Sequence, residues 1–127
     1  MNEKSVLDAS SVLAFLYEES GADKVEPLLE ISLISTVNLA EVFTRLMADG
    51  MDAKKAWQNL SDLKMTVINF SAKQALKAAE LRPLTKHLGL SLGDRCCLAL
   101  AILENLPTVT ADKLWANLNV CKIELIR

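Results

Sequence analysis

Apolar residues recur along this chain in two rhythms: short unbroken runs, and stripes spaced three and four apart. The run Ser5-Val6-Leu7 predicts a strand that stops at Asp8, and the stripe Val12, Leu13, Phe15, Leu16 predicts a helix with Ser10 and Ser11 as available N-caps. After Gly21, residues 22–30 place Val25, Leu28 and Leu29 on one helical face, and 31–34 read as a second strand. The clearest helical period runs over 37–49, through Leu39, Val42, Phe43, Leu46 and Met47, with Ser35 and Thr36 as caps and Gly50 closing it. Asp52 caps a further stripe of Ala53, Ala56, Trp57, Leu60 and Leu63, and 66–70 predict a third strand. Ser71 opens a helix reaching about residue 82, where Pro83 intervenes. Ser91 opens the last helix, through Cys97, Leu98, Ala101 and Ile102, and 107–110 and 121–126 supply two final strands.

Alternation of this kind predicts strands laid parallel and joined by right-handed helical crossovers. The expected fold is a three-layer α/β/α domain over residues 1–127, with a mostly parallel sheet of about five strands and a ligand site beyond the strands' carboxyl ends. Composition agrees: 51% hydrophobic and 24% charged residues suit a packed core and argue against disorder. No apolar run is long enough for a membrane span, and no leader pattern is visible, so no membrane contact is expected and the cytoplasm is the expected location. The three cysteines, Cys96, Cys97 and Cys121, form no C-x-x-C motif and read as reduced packing residues. A formal net charge of −2 argues against a broad basic nucleic-acid surface, so any such contact is expected to be local or bridged by metal.

Three acids fall where this architecture places a site: Asp8 after the first strand, Asp94 in the first turn of a helix, and Asp112 past a strand. Glu41 lies in the early turns of its own helix. Carboxylates gathered at one sheet edge raise one another's pKa unless a cation neutralises them, and hard oxygen donors favour Mg²⁺ or Mn²⁺. Each acid also has a plainer reading. Asp94 fits a capping box with Ser91, although its alignment with Leu98 and Ala101 turns it toward the sheet edge. Glu41 can pair with Arg45 one turn on, and Asp112 can be a turn residue. Asp8 is harder to explain away, because an acid directly after a buried strand needs solvation. Ser10 and Thr110 each stand two residues from one of these acids, within reach of a hydroxyl–carboxylate bond, and Asn38 stands one turn before Glu41. His87, the one histidine, has no partner for a triad or a zinc site.

Four stretches, VLDASSVLAFL around Asp8, STVNLAEV around Glu41, LGLSLGDRCCLALA around Asp94 and PTVTADKLW around Asp112, together resemble the PIN-domain family. Specifically, they resemble the VapC-type toxins of toxin–antitoxin pairs, over essentially the whole chain. The resemblance implies that Asp8, Glu41, Asp94 and Asp112 line a pocket for one or two Mg²⁺ or Mn²⁺ ions, with Ser10, Asn38 and Thr110 as polar neighbours. It implies an endoribonuclease acting on RNA, a homodimer, a cognate antitoxin that covers the acidic groove, and DNA contact only through the antitoxin complex. Arg95 and Lys113, beside two of the acids, are then candidate phosphate contacts. Ser71 stands where relatives often carry a further acid, so no fifth acidic ligand is expected.

Other readings meet specific obstacles. A haloacid-dehalogenase-like phosphatase needs a second Asp two residues after the first, where this chain has Ser10. A response-regulator receiver needs a phosphate-accepting Asp after the third strand, where it has Asn69-Phe70-Ser71. The remaining rival is a PIN-like fold that binds or assembles without catalysis.

Overall fold

The computed structural model describes residues 3–127. The chain begins with β1 (Val6–Leu7), α1 (Ala9–Leu16), α2 (Ala22–Val25), β2 (Leu33–Ser35) and α3 (Thr36–Ala48). It continues with α4 (Ala53–Asp62), β3 (Thr66–Ile68), α5 (Ala72–Glu80) and α6 (Arg82–Thr85). It ends with α7 (Leu92–Glu104), β4 (Thr108–Thr110) and β5 (Ile123–Leu125), and 3-10 turns cover Glu26–Ile31, Lys86–Leu88 and Lys113–Asn117. The five strands form one sheet in the order β3-β2-β1-β4-β5, and all neighbours run parallel.

Alternate residues of each strand point to opposite faces, and each face carries its own core. Leu7, Ile34 and Val109 pack with Val12, Val25, Val42, Leu46, Ala56 and Leu60, which come from α1 to α4. Val6 and Leu33 pack on the other face with Ala78, Leu81 and the buried stretch of α7 from Cys96 to Ala101. The result is the expected α/β/α sandwich.

Local departures from the sequence pattern have proline and chain direction as their causes. The helix expected over 22–30 stops at Val25 and continues as a 3-10 turn, because Pro27 at its start has no N–H for an α-helical bond. That turn consumes Ile31, so β2 begins at Leu33. Pro83 separates α5 from α6 and sits in the first turn of α6, where a missing donor costs nothing. The strands are only two or three residues long, shorter than the apolar runs.

Topology places the site. From β1 the chain steps outward to β2 and β3, then returns across the sheet to β4 on the other side of β1. The strand order therefore reverses between β1 and β4, and the crevice beyond their carboxyl ends is where such sheets bind ligands. Leu7 pairs in register with Val109, so the next residues, Asp8 and Thr110, emerge side by side at that crevice.

Candidate active site

Asp8 is the first residue after β1 and is almost fully buried. Its Oδ1 accepts the Ser11 amide at 2.9 Å, which makes Asp8 itself the N-cap of α1. The expectation that Ser10 or Ser11 caps this helix is thereby corrected: the carboxylate at the strand end reaches the orphan amides first. The freed hydroxyls turn to Asp8. Ser10 Oγ lies 2.8 Å from both carboxylate oxygens and accepts the Ala111 amide at 2.9 Å. Ser11 Oγ is 3.0 Å from Oδ1 and 2.8 Å from the Val109 carbonyl. Thr110 Oγ1, at the end of β4, donates to Oδ2 at 2.6 Å and accepts the Asp112 amide at 3.0 Å. Burial pushes the Asp8 carboxyl above its ordinary value, and the bonds from Thr110, Ser11 and Ser10 oppose that shift without cancelling it.

Asp112 caps the following 3-10 turn, its Oδ1 accepting the Leu114 amide at 2.9 Å. It is thus both the turn residue that its plainer reading described and a neighbour of Asp8 through Thr110.

Glu41 and the first turn of α7, which carries Asp94, meet from the other side, where α3 packs on α7. Asn38 is 1% exposed, and its Nδ2 donates to Glu41 Oε1 at 2.8 Å and to the Gly93 carbonyl at 3.0 Å. Its Oδ1 is buried without a hydrogen-bond partner. The ion pair open to Glu41 is not made, since Arg45 Nε binds Asp49 at 3.0 Å. Asp94 forms the capping box with Ser91: its Oδ2 accepts the Ser91 amide at 2.9 Å, and Ser91 Oγ accepts the Asp94 amide at 3.1 Å. One of its oxygens is therefore spent on the helix terminus, with the side chain only half-buried.

The Cys97 thiol, fully buried in α7, is raised well above its ordinary pKa by burial first, and then by the negative charges of Asp8, Cys121, Asp94 and Glu41. Ser11 and Gly93 are the partners that motif reading left unassigned to the site. A glycine in the first turn of an otherwise strong helix was the available signal for the second.

The remaining candidates separate. Arg95 Nη1 donates to the Ala78 carbonyl at 3.0 Å and its Nε is buried without a partner, so the guanidinium ties α7 to α5. Lys113 is exposed next to Asp112, and His87 is exposed in a 3-10 turn. Cys96, Cys97 and Cys121 are free thiols. Among the described residues, no helix is long and apolar enough to cross a membrane.

The donor set fits a hard divalent cation. Every candidate ligand is an oxygen, burial raises the Asp8 carboxyl above its ordinary value and so favours a cation beside it, and the unpartnered Asn38 Oδ1 lies one turn from Glu41. Among the described residues, no three acidic, His or Cys side chains are grouped so that they could hold one metal ion between them. Mg²⁺ does not need such a group, because it keeps several waters and takes only one or two carboxylates directly.

A family model described as the PIN domain matches residues 5–120. No curated protein matches the sequence. Among solved structures, the chain is similar to a chain of a toxin–antitoxin complex from Klebsiella pneumoniae, with 21% identity, a TM-score of 0.77, and 97% and 98% of the two chains covered. A chain of VapBC2 from Rickettsia felis bound to a promoter DNA fragment has 23% identity and a TM-score of 0.71, over 97% and 98%. A chain of VapBC-1 from nontypeable Haemophilus influenzae has 14% identity and a TM-score of 0.74, over 98% of both. At these identities the likeness is one of fold, and it agrees with the parallel sheet and its two helical layers. With the family model spanning nearly the whole sequence, the chain belongs to the PIN-domain family.

Proposed function

We propose that this protein is a divalent-metal-dependent endoribonuclease, the toxin of a toxin–antitoxin pair. The observation that carries the reading is Asp8, a buried carboxylate at the β1–β4 switch point with hydroxyl partners but no cationic one. Structural carboxylates in such positions are normally paired with Arg or Lys, and an acid kept unpaired beside other acids is arranged for a cation.

A bound Mg²⁺ or Mn²⁺ would supply the positive charge that draws a phosphodiester into an acidic crevice and the Lewis acidity that activates both phosphate and water. Asp8, Glu41, Asp94 and Asp112 would hold it, and the chain's own contribution is to set where their oxygens stand. Thr110 and Ser10 fix the Asp8 carboxylate through bonds from β4 and α1, while Asn38 fixes Glu41 against α7. A carboxylate facing the crevice accepts the proton that an attacking water gives up, so no histidine or covalent intermediate is needed. Lys113, exposed beside Asp112, would be available to an RNA phosphate.

The toxin role is supported by the matched structures, which are described as toxin–antitoxin and VapBC complexes, some bound to DNA. The partners that follow are a cognate antitoxin covering the acidic crevice, a second copy in a homodimer, and DNA only through the antitoxin complex. An apolar groove between α3, α4 and β3, lined by Leu39, Phe43, Trp57, Leu60, Met65 and Val67, suits an apolar segment of such a partner.

A second reading, a non-catalytic binding module, draws on one observation: Asp94 spends an oxygen on its own helix cap. Cleavage of bulk and structured RNA with Mg²⁺, by the parent chain and by Asp8→Asn and Asp94→Asn, separates the two. Metal-dependent cleavage lost in both variants supports the nuclease. Inactivity of the parent across substrates favours the module, and equal cleavage by all three identifies a contaminant.

A further inference from the structure

Gly93 occupies the second position of α7, a helix whose other early residues are ordinary helix formers. Its place is unusual in what lies above it. A Cβ built on Gly93 would stand 2.7 Å from Glu41 Cδ and 2.8 Å from Oε1, and closer still to Oε2, so the Glu41 carboxylate rests where any other residue would put its side chain. Gly93 is not in a left-handed conformation, since its φ is not among the positive ones, and backbone freedom is therefore not the reason for glycine here. Clearance is.

We propose that Gly93 is a positioning residue for Glu41: its missing side chain forms the seat that sets the carboxylate against the first turn of α7, next to Asp94. This inference rests on the metal-binding reading of the acidic crevice. The seat has two further walls. Asn38 Nδ2 bridges Glu41 Oε1 and the Gly93 carbonyl, tying the carboxylate to the same residue whose Cα it rests on. The N-terminal end of α7 also favours a negative group at that point. Glu41 is otherwise an exposed residue on α3, with its ionic alternative, Arg45, engaged by Asp49.

The consequence is a separation of stability from binding. A methyl group at position 93 displaces the far end of a flexible, exposed side chain, which folding tolerates, and alanine is the better helix former. The same methyl group removes the Glu41 carboxylate from the first turn of α7, the place where it would share an ion with Asp94.

The test is a double-mutant cycle on the whole chain, with Mn²⁺ alone as the probe, read by the free-ion electron paramagnetic resonance signal and by the metal-induced shift in melting temperature. Gly93→Ala is expected to melt no lower than the parent without metal and to bind Mn²⁺ about tenfold more weakly, the loss typical when a ligand's support is removed. Glu41→Ala should weaken binding similarly, and Gly93→Ala added to it should change nothing further, because the group it displaces is gone. Parent-like Mn²⁺ binding by Gly93→Ala overturns the positioning role alone. A further loss from Gly93→Ala in the Glu41→Ala background also overturns it, since the effect then acts through the fold. Failure of the parent chain to bind Mn²⁺ overturns the metal reading of the crevice and this inference with it.

Discussion

Thr110 Oγ1 donates to Asp8 Oδ2 at 2.6 Å, joining the ends of two strands that are 102 residues apart in the chain. The same oxygen accepts the Asp112 backbone amide, so one hydroxyl at the end of β4 links the Asp8 carboxylate to the backbone that carries Asp112. Thr110→Val keeps the shape and removes both bonds, leaving a buried carboxylate short of a donor. It should cost about 1–3 kcal/mol in urea unfolding and lower RNA cleavage roughly 10- to 100-fold, with Thr110→Ser close to the parent. Parent-like cleavage by the valine variant would remove Thr110 from the site.

Asp8 gives stability a pH dependence whose sign follows from its burial. Its folded pKa lies above the ordinary 3.8. Between those two values the folded chain holds a proton that the unfolded chain has released, so stability falls as pH rises through the interval and is level above it. A divalent ion competes with that proton. In thermal melts, the Mn²⁺-induced stabilisation should be absent near the bottom of the interval and full above it, reaching about 2.7 kcal/mol at a hundredfold excess over Kd. Asp8→Asn should melt higher than the parent without metal at neutral pH, and should lose the metal response. An unchanged metal response in that variant would place the ion elsewhere.

The capping and metal roles of the Ser91–Asp94 pair can be pulled apart. Ser91→Ala removes the acceptor for the Asp94 amide and should destabilise the fold by about 1 kcal/mol in chemical denaturation, while leaving Mn²⁺ affinity near that of the parent. Asp94→Asn should instead abolish cleavage at a smaller cost in stability. Equal loss of Mn²⁺ binding in the two variants would mean that Asp94 acts only through its helix.

Arg95 and Lys113 should behave oppositely. Arg95→Met removes the bond to Ala78 and is expected to cost about 1.5–3 kcal/mol of stability, with KM for RNA unchanged. Lys113→Ala, at an exposed site, should leave stability within about 0.5 kcal/mol and raise KM, more strongly at low salt. A rise in KM confined to Arg95→Met would restore Arg95 as the phosphate contact.

The pattern of apolar positions was enough to determine the class of fold, because local periodicity records which face of each element is buried. The stripe through Val42 and Leu46, the cap at Asp52 and the Ser91–Asp94 box are local features, and each is formed as its residues imply. The place of Asp8 after β1 and that of Asp94 in the first turn of α7 were legible too, since strand end and helix cap are local features. Where the pattern misled, a neighbour outranked it: Pro27 broke a helix that its apolar face supports, and Asp8 took the cap position from Ser10 and Ser11.

What the tertiary structure alone decided is the identity of the partners. That Thr110 serves Asp8, that Asn38 bridges to Gly93, and that Arg95 turns to Ala78 depend on strand order and helix crossing, which no local spacing records. Sequence states which groups stand at the carboxyl ends of the strands. Only the fold, by laying β4 beside β1 and α7 across α3, decides which of them are near enough to hold one another in place.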